Sequence, residues 1–249
     1  MKPSIFLSKP LLAVVLFFVA SCGSQGDKES TDTTSTADST TTATTDKTNS
    51  APSTITTTPQ DMMVVTHKVA DFKKWMTSYD AHDSMRLANG VHSYVIGRGL
   101  KDSNTVLVAV KVDDITKAKA FAKDPSLKKA MQKGGVVGAP VINFTTMTFQ
   151  DTARINYDLR SRTTFKVKDW DRWKKSFDSS HQTKRDNGLV LRAYGHDVDD
   201  NHKVTVVTAL VDTAKAYAWW KSDELKKLRE ASGATSQPER FIYHMVKRY

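Results

Sequence analysis

The sequence predicts an α+β protein: two tandem β-α-β-β-α-β units packed sheet to sheet, preceded by a signal peptide and a disordered tether. Three observations carry that prediction. An internal repeat at a spacing of 98 residues runs through the C-terminal part of the chain. Each copy orders its apolar runs and amphipathic segments in the same way. The N-terminal 60 residues differ in composition from everything that follows. The expected organisation is a signal peptide over residues 1–21, a tether over 22–60, a first unit over 61–150 and a second over 151–249.

The first segment has the make-up of an export signal. Lys2 and Lys9 supply a positive start, and no acidic residue precedes Asp27. Residues 11–20 form an unbroken apolar run. A membrane-spanning helix needs about 20 apolar residues to cross a core of roughly 30 Å. This run is half that, the length of a signal-peptide h-region. It ends in Val19-Ala20-Ser21-Cys22, which resembles the lipobox of bacterial lipoproteins, whose cysteine becomes the lipidated N-terminus. Cys22 is the only cysteine in the chain. A thiol without a disulfide partner is unusual in an exported protein, whereas a lipidation site needs none. The alternative is an ordinary signal peptide followed by a chance cysteine. One acyl chain binds only marginally, at about 0.8 kcal/mol per buried CH₂, so anchoring needs several. The expected location is the bacterial cell envelope, lipid-anchored to a membrane, with the outer membrane favoured, facing periplasm or exterior.

Residues 23–60 are mixed Thr, Ser, Ala and Asp with Pro52 and Pro59 near the end; Ile55 is their only large aliphatic residue. Such a stretch buries too little apolar area to offset its ordering entropy. It reads as a tether with an r.m.s. span of about 35 Å. O-glycosylation of the Thr/Ser run is left open by composition.

The repeat decides the fold. Shifted by 98 positions, the halves align without a gap from Thr66/Thr164 to Met147/Met245, with roughly three in ten positions identical. The matches include Asp71/Asp169, Trp75/Trp173, Asn89/Asn187, Gly90/Gly188, Gly97/Gly195 and Pro140/Pro238. In copy one, residues 62–68 form a β-prone run. Asp71 and Asp169 stand where an N-cap would accept backbone N–H groups. The helix that follows puts Phe72, Trp75, Met76 and Tyr79 on one face, and Asn89-Gly90 suits a left-handed C-terminal cap. Strands over 91–98 and 105–112 follow, then a helix over 115–133 broken at Asp124-Pro125, then a strand over 141–149.

That order is the ferredoxin-like split motif. One such sheet leaves a face bare, and two copies can close it. Residues 61–249 thereby resemble the dimeric α/β-barrel superfamily, which includes antibiotic-biosynthesis-monooxygenase-like and haem-degrading proteins. The resemblance rests on element order, unit length and duplication, not on a catalytic motif. It implies that the tandem copy replaces a homodimer partner. It also implies a working site in the cavity between helices and sheet, or in the barrel, where some relatives use a histidine or an Asn/Trp/His set.

The candidate catalytic residue is His82, near the face of Trp75 and Tyr79. His181 looks equivalent but is not, because His82 aligns with Ser180 and His181 with Asp83. One helical residue is about 100° of rotation, so a duplicated catalytic histidine is unsupported. The plainer reading of His82 is a half-buried helical histidine. Trp75 and Trp173 read as anchors of helix onto sheet, each burying on the order of 200 Å²; an aromatic ligand platform is the alternative. Gly97 and Gly195 mark a bulge or a close strand approach. On the second strand, strict alternation puts Val91, Val95, Leu189, Leu191 and Ala193 toward the helices. It puts His92, Tyr94, Arg98, Arg192, Tyr194 and His196 on the other face. If the bare faces meet, those six line a cleft that suits a small aromatic or anionic ligand. The plainer alternative is an inter-copy interface held by polar contacts. The faces taken by His67 and His244 are ambiguous.

The seven histidines lack metal-ligand spacing, there is no second cysteine, and no phosphate loop or G-x-S-x-G elbow occurs. Loss of the signal takes the formal charge from +10 to +8. Lysines along the second helix of each copy read as a solvated face, with anionic lipid or polysaccharide a weaker alternative and nucleic acid an unlikely partner. The functional expectation is a non-enzymatic envelope module that binds a small ligand or a partner protein, without a cofactor. The alternative is a cofactor-independent monooxygenase or a haem-binding or haem-degrading enzyme, on fold resemblance alone.

Overall fold

The computed structural model describes residues 53–249. The signal peptide, Cys22 and all but the end of the tether lie outside the described residues. Among the described residues, no helix is long and apolar enough to cross a membrane.

The chain enters with a two-residue strand β1 (Ile55–Thr56). The first unit is β2 (Gln60–Val69), α1 (Phe72–Ala81), α2 (Asp83–Ala88), β3 (Val91–Gly99), β4 (Thr105–Val112), α3 (Ile115–Phe121), α4 (Pro125–Lys133) and β5 (Val136–Asp151). The second is β6 (Leu159–Lys166), α5 (Trp170–Asp178), α6 (His181–Asp186), β7 (Leu189–Asp197), β8 (Lys203–Leu210), α7 (Thr213–Lys221), α8 (Asp223–Ala231) and β9 (Glu239–Arg248). Each unit is thus β-α-β-β-α-β with each helix in two pieces. The tether reading runs too far at its end: Ile55 and Thr56 pair with Asp151 and Gln150 of β5. The last strand of copy one is longer than expected, because its start pairs back onto the end of β2 beyond a bulge.

The strands run β5-β2-β4-β3 in copy one and β9-β6-β8-β7 in copy two, and β3–β9 and β5–β7 pairings join the copies at both edges. The two sheets therefore form one closed barrel, which abolishes open edges. The joints are related by the repeat: Gly97 pairs with Met245, and Gly195 with Met147. A Cβ at Gly97 would lie 2.1 Å from the Tyr243 ring, and one at Gly195 would lie 2.0 Å from the Thr146 carbonyl oxygen. Only glycine lets the strands approach this closely.

Local rules explain the helices. Asp71, Asp114, Asp169 and Asp212 each accept a hydrogen bond from the N–H three residues on, at 2.8, 2.9, 2.7 and 3.0 Å. Gly90 and Gly188 end the first helical segment of each copy at φ 64° and 72°, the left-handed cap. Trp75 and Trp173 are buried against the sheet at 4% and 2% exposure, as anchors. The helices cover the outer face of the barrel wall, and the core of each unit lies between the two.

Candidate functional site

Among the described residues, three interior spaces bear on function: one under the helices of each unit and one in the lumen between them. The first-unit cavity has a free volume of about 80 Å³, with walls that include Met63, Val65, Trp75, Met131 and Ile142. His67 faces it from β2. Neither ring nitrogen of His67 has a partner, its ring centre is 5.4 Å from that of Trp75, and burial pulls its pKa down to about 4. His67 is therefore a neutral imidazole. Arg86 also faces this cavity, but its charge is answered: Nη2 is 2.9 Å from Asp83, Nε donates to Ser93, and Nη1 donates to the Tyr79 carbonyl. His82 sits at the break between α1 and α2, with Nδ1 2.6 Å from the Ser78 carbonyl oxygen, at the cavity rim.

The second-unit cavity is larger, with a free volume of about 140 Å³. For scale, an engineered apolar cavity of about 150 Å³ binds benzene. Its walls include Trp173, Phe177, Leu189, Trp219 and Leu225. Lys184, Arg229 and Arg240 face it, and no acidic residue does. The repeat register shows what changed. Arg86, Met131 and Ile142 of copy one stand where copy two has Lys184, Arg229 and Arg240, and Asp83, the partner of Arg86, has become His181.

Lys184 Nζ donates to the Phe177 carbonyl at 3.0 Å and to Ser180 Oγ at 2.6 Å, and lies 3.5 Å from the Phe177 ring centre. Burial without a close carboxylate brings its pKa down to about 7, with Asp178 opposing weakly. Arg229 donates one Nη2 bond to the Ser236 carbonyl, and its Nε has no acceptor. Arg240 stacks 4.8 Å from the Trp220 ring centre, its Nε also lacks an acceptor, and burial next to Arg229 draws its pKa to about 10.

The lumen has a free volume of about 100 Å³. Arg160, Arg162, Arg192 and Arg248 of copy two line it. Their copy-one counterparts, Met62, Val64, Tyr94 and Gln150, line it too.

The six cleft candidates separate into three groups. Tyr94 and Arg192 do face the lumen. His92 lies at the surface, with Nε2 2.8 Å from Asp113. Arg98, Tyr194 and His196 turn the other way, toward the helices. Arg98 lies 4.2 Å over Phe72, Tyr194 donates to Asp178 at 2.6 Å, and His196 packs edge-on to Trp170. Val95 and Ala193, expected toward the helices, line the lumen instead. The cause is a β-bulge in each copy, between Ser93 and Val95 and between Leu191 and Ala193. One extra residue reverses the inside–outside parity of all that follows. Beyond the bulge, burial, helped by the Asp178 carboxylate that accepts the Tyr194 hydroxyl, raises the Tyr194 pKa to about 12.

Sequence reasoning missed Lys184, Arg229, Arg240, Arg160 and Arg162. The signal existed for four of them: Met131/Arg229, Ile142/Arg240, Met62/Arg160 and Val64/Arg162 are apolar-to-cation changes in the repeat register. His67 turned inward and His244 outward, where it pairs with Asp158 at 2.9 Å. Among the described residues, no group of three or more His, Cys, Asp or Glu side chains is placed to hold a metal ion.

Solved structures share this architecture. A proposed monooxygenase from Fusobacterium nucleatum aligns with a TM-score of 0.52 at 13% identity, covering 76% of this chain and 93% of its own. A proposed chlorite dismutase aligns with a TM-score of 0.50 at 14% identity, covering 76% of this chain and 95% of its own. Such coverage takes in both repeats. No family model matches the chain, and no curated protein sequence matches it. The fold is that of the dimeric α/β barrels, with both halves in one chain.

Proposed function

We propose that this protein is a lipid-anchored ligand-binding module of the bacterial cell envelope, whose second unit captures an aromatic carboxylate. One observation carries the reading: Lys184, Arg229 and Arg240 converge on an aromatic-walled cavity with no carboxylate in its lining, Asp178 and Glu230 acting on Lys184 and Arg229 only from beyond ion-pair distance. Taking charge out of water is costly unless it is compensated. A ligand carboxylate would supply the missing charge, and a single ring suits the free volume of about 140 Å³. The rings of Trp173, Phe177 and Trp219 would hold it by offset or edge contacts. Titration with phenylacetate, followed by tryptophan fluorescence, tests this. Saturable one-to-one quenching is expected, weakened by about tenfold or more in Lys184→Met. No saturation with phenylacetate or its aromatic homologues defeats the reading.

What supports the anchor is the Val19–Ala20–Ser21–Cys22 run; a lipid on Cys22 would hold the module to a membrane of the envelope, the outer membrane being the favoured one, facing the periplasm or the exterior. Cys22→Ser is expected to move the protein from the membrane to the soluble fraction with both units folded. A variant that stays membrane-bound contradicts the anchor.

One observation favours a second reading, an oxygenase acting in the first unit. His67 is a neutral base with two free nitrogens beside Trp75. Such an imidazole is too weak a base to deprotonate a phenol outright, but it could accept a hydrogen bond from a phenol hydroxyl and orient the ring against Trp75. Loss of phenol oxidation in His67→Phe, with phenylacetate binding intact, would favour it. Haem does not fit this cavity: about 80 Å³ falls far below the roughly 300–1,000 Å³ of cofactor-sized sites. Any change that haemin makes to its Soret band should therefore be the same in His67→Phe as in wild type.

A further inference from the structure

The barrel lumen carries a charge problem of its own. Of its four arginines, Arg192 has a counterion, Asp151 at 2.7 Å. Arg160 donates to the carbonyls of Tyr157 and Leu159, and Arg248 to that of Thr152 at 3.2 Å. These bonds satisfy donors but do not neutralise charge. Arg162 is the extreme case, since its Nε and Nη2 are shut off from solvent with no acceptor. Burial lowers the pKa of Arg160, Arg162 and Arg192, opposed for Arg162 by Asp197 and Glu239 and for Arg160 by Asp158, none of them at ion-pair distance; a guanidinium keeps its proton in a protein. Tyr243, which faces Arg160 and Arg162, is held neutral, its pKa raised to about 12, so it supplies no charge. Among the described residues, Asp151 is the only acidic one lining the space. Copy one otherwise contributes the neutral polar side chains of Tyr94 and Gln150 and an aliphatic and thioether stretch that includes Met62, Val64 and Leu107.

We propose that the lumen between the repeats binds a short-chain aliphatic carboxylate, with its head on Arg160 and Arg162 and its tail along Met62 and Val64. The free volume of about 100 Å³ is smaller than the roughly 150 Å³ cavity that accepts benzene, so a short chain fits where an aromatic ring is crowded. The site is separate from the Lys184 cavity and does not depend on it. It arises only where the two copies close on each other, and all four arginines come from the second copy. A duplicated chain can polarise its lumen in this way; a symmetric homodimer cannot.

The test uses the full chain, with propionate and inorganic phosphate as probes, in calorimetric and thermal-melt titrations of wild type, Arg162→Met and Lys184→Met. Propionate should bind wild type and Lys184→Met alike and bind Arg162→Met at least about tenfold more weakly. Arg162→Met should also melt higher than wild type in anion-free buffer, because it removes a buried charge that has no ion-pair partner in contact. Should that variant not fold, Arg160→Met, which installs the residue that copy one carries, makes the same comparison. Propionate binding unchanged in the arginine variant, or a response to phosphate alone, overturns the proposal. If phenylacetate fails in wild type while propionate binds through Arg162, the aromatic-carboxylate reading falls and this one stands.

Discussion

Arg86 and Lys184 occupy one position in the two repeats, yet only Arg86 has a partner carboxylate. Replacing Asp83 with His181 left Lys184 as a cation facing aromatic rings. With its pKa near 7, Lys184 is largely neutral above that pH and charged below it. A bound carboxylate favours the charged form, so phenylacetate should bind more tightly as pH falls through about 7 and weaken as it rises toward 9. A flat affinity over that range contradicts the role of Lys184. His67 makes a different prediction. Its folded pKa of about 4 lies below the ordinary 6.5, so below pH 6.5 the unfolded chain takes up a proton that the fold refuses. Stability should be full above 6.5 and fall by about 3 kcal/mol toward pH 4. His67→Phe, which installs the copy-two residue Phe165, should flatten that dependence in denaturant titrations. The loss of Asp83 at His181 was legible in the repeat register; the inward turn of His67 was not, because a histidine on a strand of ambiguous parity gives no sign of which face it takes.

At the level of elements, much was legible. The Asp caps, the Asn-Gly stops and the break at Asp124-Pro125 are local rules, read without knowing the fold. The bulges at 93–95 and 191–193 were not, because a bulge is a property of the ladder rather than of one strand. Strict alternation therefore misplaced Arg98, Tyr194 and His196 while placing Tyr94 and Arg192 correctly on the lumen side. Gly97 and Gly195 were legible as close approaches, though not as the two joints of a barrel. Gly195→Ala should destabilise by about 1–3 kcal/mol, since its Cβ would meet backbone that only shifts with the strand. Equilibrium urea unfolding reads this directly. A variant as stable as wild type would contradict the tight β5–β7 joint.

For the whole molecule, the duplication predicted two units with sheets face to face, and they close into one barrel by pairing at both edges. What the repeat could not convey is the asymmetry. Copy one keeps apolar walls, while copy two adds cations under its helices and in the lumen. Charge placement depends on which face each strand presents, and the bulges decide that. A carboxylate held in the second-unit cavity is the central proposal. Its most direct test is a crystal structure of the protein with 4-bromophenylacetate, read by bromine anomalous scattering. The expected result is one bromine peak among Trp173, Phe177 and Trp219, with the carboxylate within hydrogen-bond distance of Lys184, Arg229 or Arg240. A second-unit cavity without bromine, or a peak only under the helices of the first unit, would contradict it.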